Sequence, residues 1–151
     1  MSQSLSKIWT HLTFSTKERY PFLVDPGIRQ ELHAFVAKTL KNNNCPTLIV
    51  GGVSDHIHSL FLLSKNHSIA SIVWAIKRAS SKWIKGSGGM LKKFYWQEGY
   101  GAFSVSQSHV ERVEKYILNQ EDHHRRKTFQ DEFRAFLKKY EVEYDERYVW
   151  D

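Results

Sequence analysis

Two kinds of hydrophobic periodicity alternate along this chain, and their order leaves few ways to fold it. Ile8 to Phe14 alternates as a strand, with Ile8, Thr10, Leu12 and Phe14 on one face and Trp9, His11 and Thr13 on the other. A polar loop from Thr16 to Pro21 follows. Asp25 then offers a helix N-cap, and Pro26 suits the first helical position. Ile28, Leu32, Phe35, Val36 and Leu40 recur at helical spacing until Asn42-Asn43-Asn44 and Pro46 stop the run. Thr47 to Val53 and His56 to Leu63 read as two strands joined at Ser54-Asp55 in a hairpin, with Gly51-Gly52 marking a bulge or a close backbone approach. Ser68 caps a second helix with Ile69, Ile72, Val73, Ile76 and Ala79 on its apolar side. After the flexible Gly86-Ser87-Gly88-Gly89, the segments Phe94-Tyr95-Trp96 and Ala102 to Val105 read as a fourth strand.

The order β-α-β-β-α-β predicts an α+β fold: a ferredoxin-like, split β-α-β antiparallel sheet. Such a sheet has one face left bare by its own two helices. A third helix, starting at Ser106 or Ser108 and running to about Asn119, is expected to cover it. A last amphipathic helix carries Phe129, Phe133, Phe136, Leu137 and Tyr140, most simply as core or as a dimer contact. At 151 residues one domain spanning 1–151 is expected. No apolar run is long enough to cross a membrane, and the polar Met1-Ser2-Gln3-Ser4 gives no export signal. The lone Cys45 fits a reducing compartment, so a cytoplasmic location is expected.

The net charge is +6, and its distribution says more than its size. From His56 to Gln97 there is no Asp or Glu, while Lys65, Lys77, Arg78, Lys82, Lys85, Lys92 and Lys93 fall in that stretch. The chain after Lys127 is acidic by contrast, with Asp131, Glu132, Glu141, Glu143, Asp145, Glu146 and Asp151. A basic middle points to a polyanion partner, or simply to a solvated basic face.

Within that middle, His56-Ile57-His58 lies on a strand, where residues two apart share a side. The two imidazoles therefore project together and suit one divalent ion, which a carboxylate or carboxamide would complete. On the third helix Val110, Val113 and Ile117 form the buried stripe. Tyr116 falls at its flank, and Gln120, four residues on, shares a face with Tyr116. A phenol beside a metal pair is equipment for attack on a phosphodiester. A core-edge tyrosine with a filler glutamine is the plainer alternative.

These residues carry a resemblance. Gly51-Gly52-Val53-Ser54-Asp55-His56-Ile57-His58, then Trp96-Gln97-Glu98-Gly99-Tyr100, then Tyr116-Ile117-Leu118-Asn119-Gln120 with His123-His124, resemble the single-tyrosine HUH transposases of small bacterial and archaeal insertion sequences. His11-Leu12-Thr13-Phe14, with Thr16, Lys17 and Arg19, is similar to that family's opening strand and loop. The likeness runs from about residue 7 to about 127. It implies that His56 and His58 bind Mg²⁺ or Mn²⁺, that Gln120 is the third ligand, and that Tyr116 is the nucleophile. It further implies a homodimer acting on single-stranded DNA hairpins at element ends. In many members the His pair of one subunit works with the tyrosine helix of the other.

Lys17, Arg19, Lys77, Arg78, Lys82 and Lys85 are candidates for DNA backbone contacts, and His123 and His124 for phosphate contacts. Trp83, Trp96 and Tyr100 could stack unpaired bases or pack in the core. Three other readings stay open. One is an HUH endonuclease of the replication-initiator or relaxase kind. Another is a non-catalytic ferredoxin-like module that binds single-stranded nucleic acid. The third is a zinc protein using His56, His58, His123 and His124, which lacks paired cysteines.

Overall fold

In a computed structural model, which describes residues 2–151, the chain forms a four-stranded antiparallel sheet with helices on both faces. Strand β1 (Trp9–Ser15) is central and pairs with β3 (His56–Leu62) on one side and β4 (Gly101–Val105) on the other. Strand β2 (Thr47–Gly52) pairs with the far side of β3, giving the order β2-β3-β1-β4. This is the α+β, split β-α-β arrangement expected from the element order. Between Thr47 and Ile49 the β2–β3 register shifts.

Helix α1 (Pro26–Asn42) begins where Asp25 accepts hydrogen bonds from the backbone N–H groups of Gly27 and Ile28 (2.8 and 3.2 Å). Helix α2 (Ile69–Lys85) begins where Ser68 accepts from the Ser71 N–H. Both pack on one face of the sheet. Leu32, Val36 and Leu40 of α1 and Ile72, Ile76 and Ile84 of α2 meet Leu12, Phe14, Ile57 and Phe61 in the main core. Each such side chain contributes about 1.5–3 kcal/mol when fully buried.

Phe94-Tyr95-Trp96 does not continue the fourth strand. Its pairing stops at one isolated bridge between Thr16 and Trp96, closed by the Lys17 N–H on the Tyr95 carbonyl and the Gln97 N–H on the Ser15 carbonyl. The Trp96 ring is needed elsewhere: it meets Phe14 edge-on (4.9 Å between centroids), and its indole N–H donates to Ser80 Oγ at 2.9 Å. The next turn is held by Lys77, whose ammonium donates to the carbonyls of Gln97, Glu98 and Gly99 (2.7, 3.0 and 2.7 Å). An aromatic anchor and a cation-capped turn thus replace strand pairing.

The opposite sheet face is covered by α3 (Val110–Leu118), α4 (Gln120–His124) and α5 (Phe129–Lys139). The third helix ends close to Asn119, as expected: the Asn119 backbone (φ −96°, ψ 22°) is not helical, and a short helix restarts at Gln120. Tyr116 and Gln120 therefore belong to successive helices. Gln120 still reaches back, donating from its amide to the Tyr116 carbonyl at 3.2 Å.

Glycines seat these helices. Gly51, His58, Thr13 and Gly101 form one row across the sheet. A Cβ on Gly51 would lie 2.9 Å from Ile117 Cγ2, and one on Gly101 would lie 2.5 Å from Phe133 Cε2. The close backbone approach expected at Gly51-Gly52 is the seat of α3. Among the described residues no helix is long and apolar enough to cross a membrane. Replacing Gly51 or Gly101 with valine should cost about 1–3 kcal/mol by overpacking. Urea denaturation checks this, and unchanged stability would mean that the helices are not seated on these positions.

Candidate metal and nucleophile site

The row that ends in the two glycines is also the floor of a polar site. His56 and His58 stand opposite Ser15 and Thr13 in the β1–β3 register, so they share the sheet face that also bears His11. Both are fully buried. Each has its Nδ1 engaged from behind: His56 by Asp55 Oδ1 at 2.6 Å, and His58 by His11 Nε2 at 2.8 Å. This leaves Nε2 of both rings pointing into the site. Partners of this kind fix the tautomer and aim of imidazoles that bind metals.

Gln120 Oε1 lies 3.2 Å from His56 Nε2. With its Nδ1–H donated to Asp55, the His56 ring can turn its Nε2 lone pair toward the amide oxygen. Two acceptors facing one another suit a cation between them. The residues therefore fit the ion that the sequence resemblance implies.

Sequence reasoning missed Glu132. Only 2 % exposed, it enters from α5 and sits at the centre of the site. Its Oε1 is 2.9 Å from His58 Nε2 and 3.6 Å from His56 Nε2. Its Oε2 is 3.0 Å from His124 Nε2 and 3.3 Å from His123 Nε2, and it accepts the Tyr116 hydroxyl hydrogen bond. His56, His58, His124 and Glu132 offer ligand atoms all within 4.8 Å of one another. The sequence did hold a signal. Glu132 follows Phe129 by three residues and precedes Phe136 by four, so it lies on the apolar stripe of α5, where a carboxylate must find a partner.

Electrostatics follow from this burial. Burial opposes ionisation of Glu132, but His58, His124 and His56 outweigh it and hold the carboxyl below the usual range. Burial pushes the His58 pKa down, against the opposing pull of the Glu132 carboxylate. Burial, then the Glu132 charge and its hydrogen bond, push the Tyr116 hydroxyl well above an ordinary phenol. His123 Nε2 lies 3.1 Å from the Tyr116 hydroxyl. Beside Tyr116 opens a cavity of about 860 Å³ lined by Asn119, Asp122, His123, Arg125, Arg126 and Lys127.

The structure thus brings together Tyr116, His56, His58, Gln120, His123 and His124. The two latter histidines turn inward to Glu132 rather than outward. The other basic candidates lie elsewhere. Lys77 spends its ammonium on three carbonyls. Arg78 is exposed and rests on the Trp74 ring at 4.8 Å, and Lys82 is exposed. Lys85 and Lys17 flank the exposed Tyr95 ring at 4.2 and 5.8 Å, and Arg19 lies 5.8 Å from the Trp150 ring. Of the proposed stacking aromatics, Trp96 is buried, Trp83 stacks on Phe35, and Tyr100 is exposed.

A family model described as "Transposase IS200 like" matches residues 4–120. The chain belongs to the IS200-like transposase family. Two solved structures share the fold of this family member. A candidate transposase from Deinococcus radiodurans R1 is 23% identical, with a TM-score of 0.61, covering 80% of this chain and 98% of its own. A REP-associated tyrosine transposase bound to a REP hairpin is 15% identical, with a TM-score of 0.56, covering 82% of this chain and 74% of its own. No curated protein matches. Glu132, His123 and His124 all lie beyond the residues that the family model matches.

Behind Gln120, a second cavity of about 400 Å³ is lined by Arg29, His33, Gly51 and Asn119 among others. His33 Nε2 is buried there without a partner. Burial, helped by Arg29, lowers the His33 pKa to about 4, and burial above all lowers that of His11 to about 3. Both rings stay neutral in the folded chain at pH 5, whereas the unfolded chain takes up protons below about 6.5. Stability should therefore fall as pH drops below 6.5, by about 1.4 kcal/mol per unit for each group until its folded pKa is reached. Urea denaturation of wild type and His33→Leu at pH 7 and pH 5 checks the sign. The variant should lose less stability by roughly 1–2 kcal/mol, and parallel losses would contradict the argument.

Proposed function

We propose that this protein is a metal-dependent transposase that cleaves and rejoins single-stranded DNA at hairpin-bearing ends through a 5′-phosphotyrosine. The observation that carries this reading is the meeting, in one buried site, of a tyrosine hydroxyl with two inward-facing imidazoles on a strand. Membership of the IS200-like family and the shared fold of a hairpin-bound tyrosine transposase support it.

In this mechanism Tyr116 is the nucleophile. His56, His58 and Gln120 hold a divalent ion, Mg²⁺ or Mn²⁺, which when bound supplies Lewis-acid polarisation of the scissile phosphate. The Tyr116 oxygen attacks phosphorus as it gives up its proton, the phosphorus–O3′ bond breaks with its electron pair going to O3′, and O3′ takes up a proton to leave as a free 3′-OH. Glu132 Oε2 is the acceptor facing the phenolic proton. Since phosphotyrosine keeps the phosphodiester bond energy, a 3′-OH can reverse the step and join strands without ATP. His123, with Arg125, Arg126 and Lys127 lining the cavity beside Tyr116, suits the strand's phosphates. Lys17, Arg19, Arg78, Lys82 and Lys85 would add salt-sensitive contacts, with Lys77 shaping the Gln97–Gly99 turn instead.

Labelled hairpin DNA from the flanks of its own gene should give a denaturation-resistant adduct with Mn²⁺, lost in EDTA and in Tyr116→Phe. Binding without an adduct under any divalent metal would favour the non-catalytic nucleic-acid module.

A further inference from the structure

We propose that Glu132, carried on α5 outside the part of the chain that the family model matches, is a carboxylate ligand of the metal centre and joins His56, His58 and Gln120. The inference rests on the metal-dependent reading above and deepens it.

Three observations carry it. First, Glu132 Oε1 is aimed at the pair: it is 2.9 Å from His58 Nε2 and 3.6 Å from His56 Nε2, and Gln120 Oε1 is 3.2 Å from His56 Nε2. Ligands about 2.1 Å from one ion stand roughly 3.0–3.4 Å apart in octahedral or tetrahedral arrangements, so these spacings are close to those of a shared ion. Second, both imidazoles can present lone pairs to that point. Asp55 Oδ1 lies 2.6 Å from His56 Nδ1 and takes its N–H, and His11 Nε2, 2.8 Å from His58 Nδ1, is placed to accept the N–H of that ring. Third, α5 is held in place independently of any ion. Phe129, Phe133 and Leu137 are buried with Phe103, so the carboxylate is delivered by packing rather than recruited from solvent.

The two oxygens of Glu132 divide their work. Oε1 faces the imidazole pair, while Oε2 faces Tyr116 and His124. One rigid group thereby sets the position of the phenol relative to the ion. An anionic ligand beside two imidazoles and an amide lowers the net charge of the centre, and suits Mn²⁺ better than a wholly neutral donor set would.

The test is Mn²⁺ binding in the absence of DNA, followed by the EPR signal of free Mn²⁺. Wild type, Glu132→Gln, Glu132→Asp and His58→Ala are compared, with thermal melts to confirm folding. Glu132→Asp keeps the charge but withdraws the oxygens by one carbon, so it separates ligation from a general field effect. Both Glu132 variants should weaken binding by more than about a hundredfold, beyond the roughly 10–100-fold that losing a mere supporting partner costs, and a smaller loss would make Glu132 a supporting residue rather than a ligand. If His58→Ala abolishes binding while Glu132→Asp stays within about twofold of wild type, Glu132 is not a ligand. If Glu132→Gln does not fold, Glu132→Asp alone decides. Failure of wild type itself to bind Mn²⁺ would overturn the metal-dependent reading, a distinct outcome.

Discussion

A carboxylate sealed inside the protein dictates the form of this site. Glu132 is 2 % exposed and its charge is shared among His56, His58, His123, His124 and the Tyr116 hydroxyl. An ionised carboxylate without partners would be expelled from such a place. Every element that bears a partner is therefore tied to α5: the hairpin strand with the His pair, the helix with the tyrosine, and the short helix with the second histidine pair. Burial and the same contact raise the Tyr116 pKa well above that of an ordinary phenol.

That cluster is only possible because the sheet lets two helices come close. Gly51 and Gly101 end the row that runs through His58 and Thr13. One admits Ile117, the residue after Tyr116, and the other admits Phe133, the residue after Glu132. Tyr116 and Glu132 are thus each one residue from a contact that side chains at those glycines would prevent. Spacing at the site is set on one flank by the close approach of Ile117, its carbonyl included, to Gly51, and on the other by the Phe133 ring against Gly101, both on regular elements rather than loops.

Much of this was legible before folding. Strand and helix periodicity yields the sheet and its two core helices, because binary pattern and capping residues such as Asp25 and Ser68 act locally. The shared face of His56 and His58 follows from strand geometry. The residues that escaped were those decided by tertiary contact. Phe94 to Trp96 looks like a strand, yet packs as a plug because Ser80 and Phe14 take the Trp96 ring. The end of the third helix near Asn119 was legible, but the short helix that restarts at Gln120 leaves no strong sequence mark. Glu132 sits in a segment that composition alone describes as an acidic tail. Only its place on the apolar stripe of α5 betrays it. Lys77 reads as a surface cation until the three carbonyls of the Gln97–Gly99 turn are seen around it.

The account holds that a single chain builds the whole site, with the His pair, Tyr116 and Glu132 contributed together. The most direct measurement is a mixing experiment between two disabled variants, His58→Ala and Tyr116→Phe, incubated with Mn²⁺ and labelled hairpin DNA. A site built within one chain predicts no covalent DNA product from the mixture, at any ratio, although wild type forms it. Restored product on the His58→Ala chain would contradict the account, because it requires the metal pair of one subunit to serve the tyrosine of another.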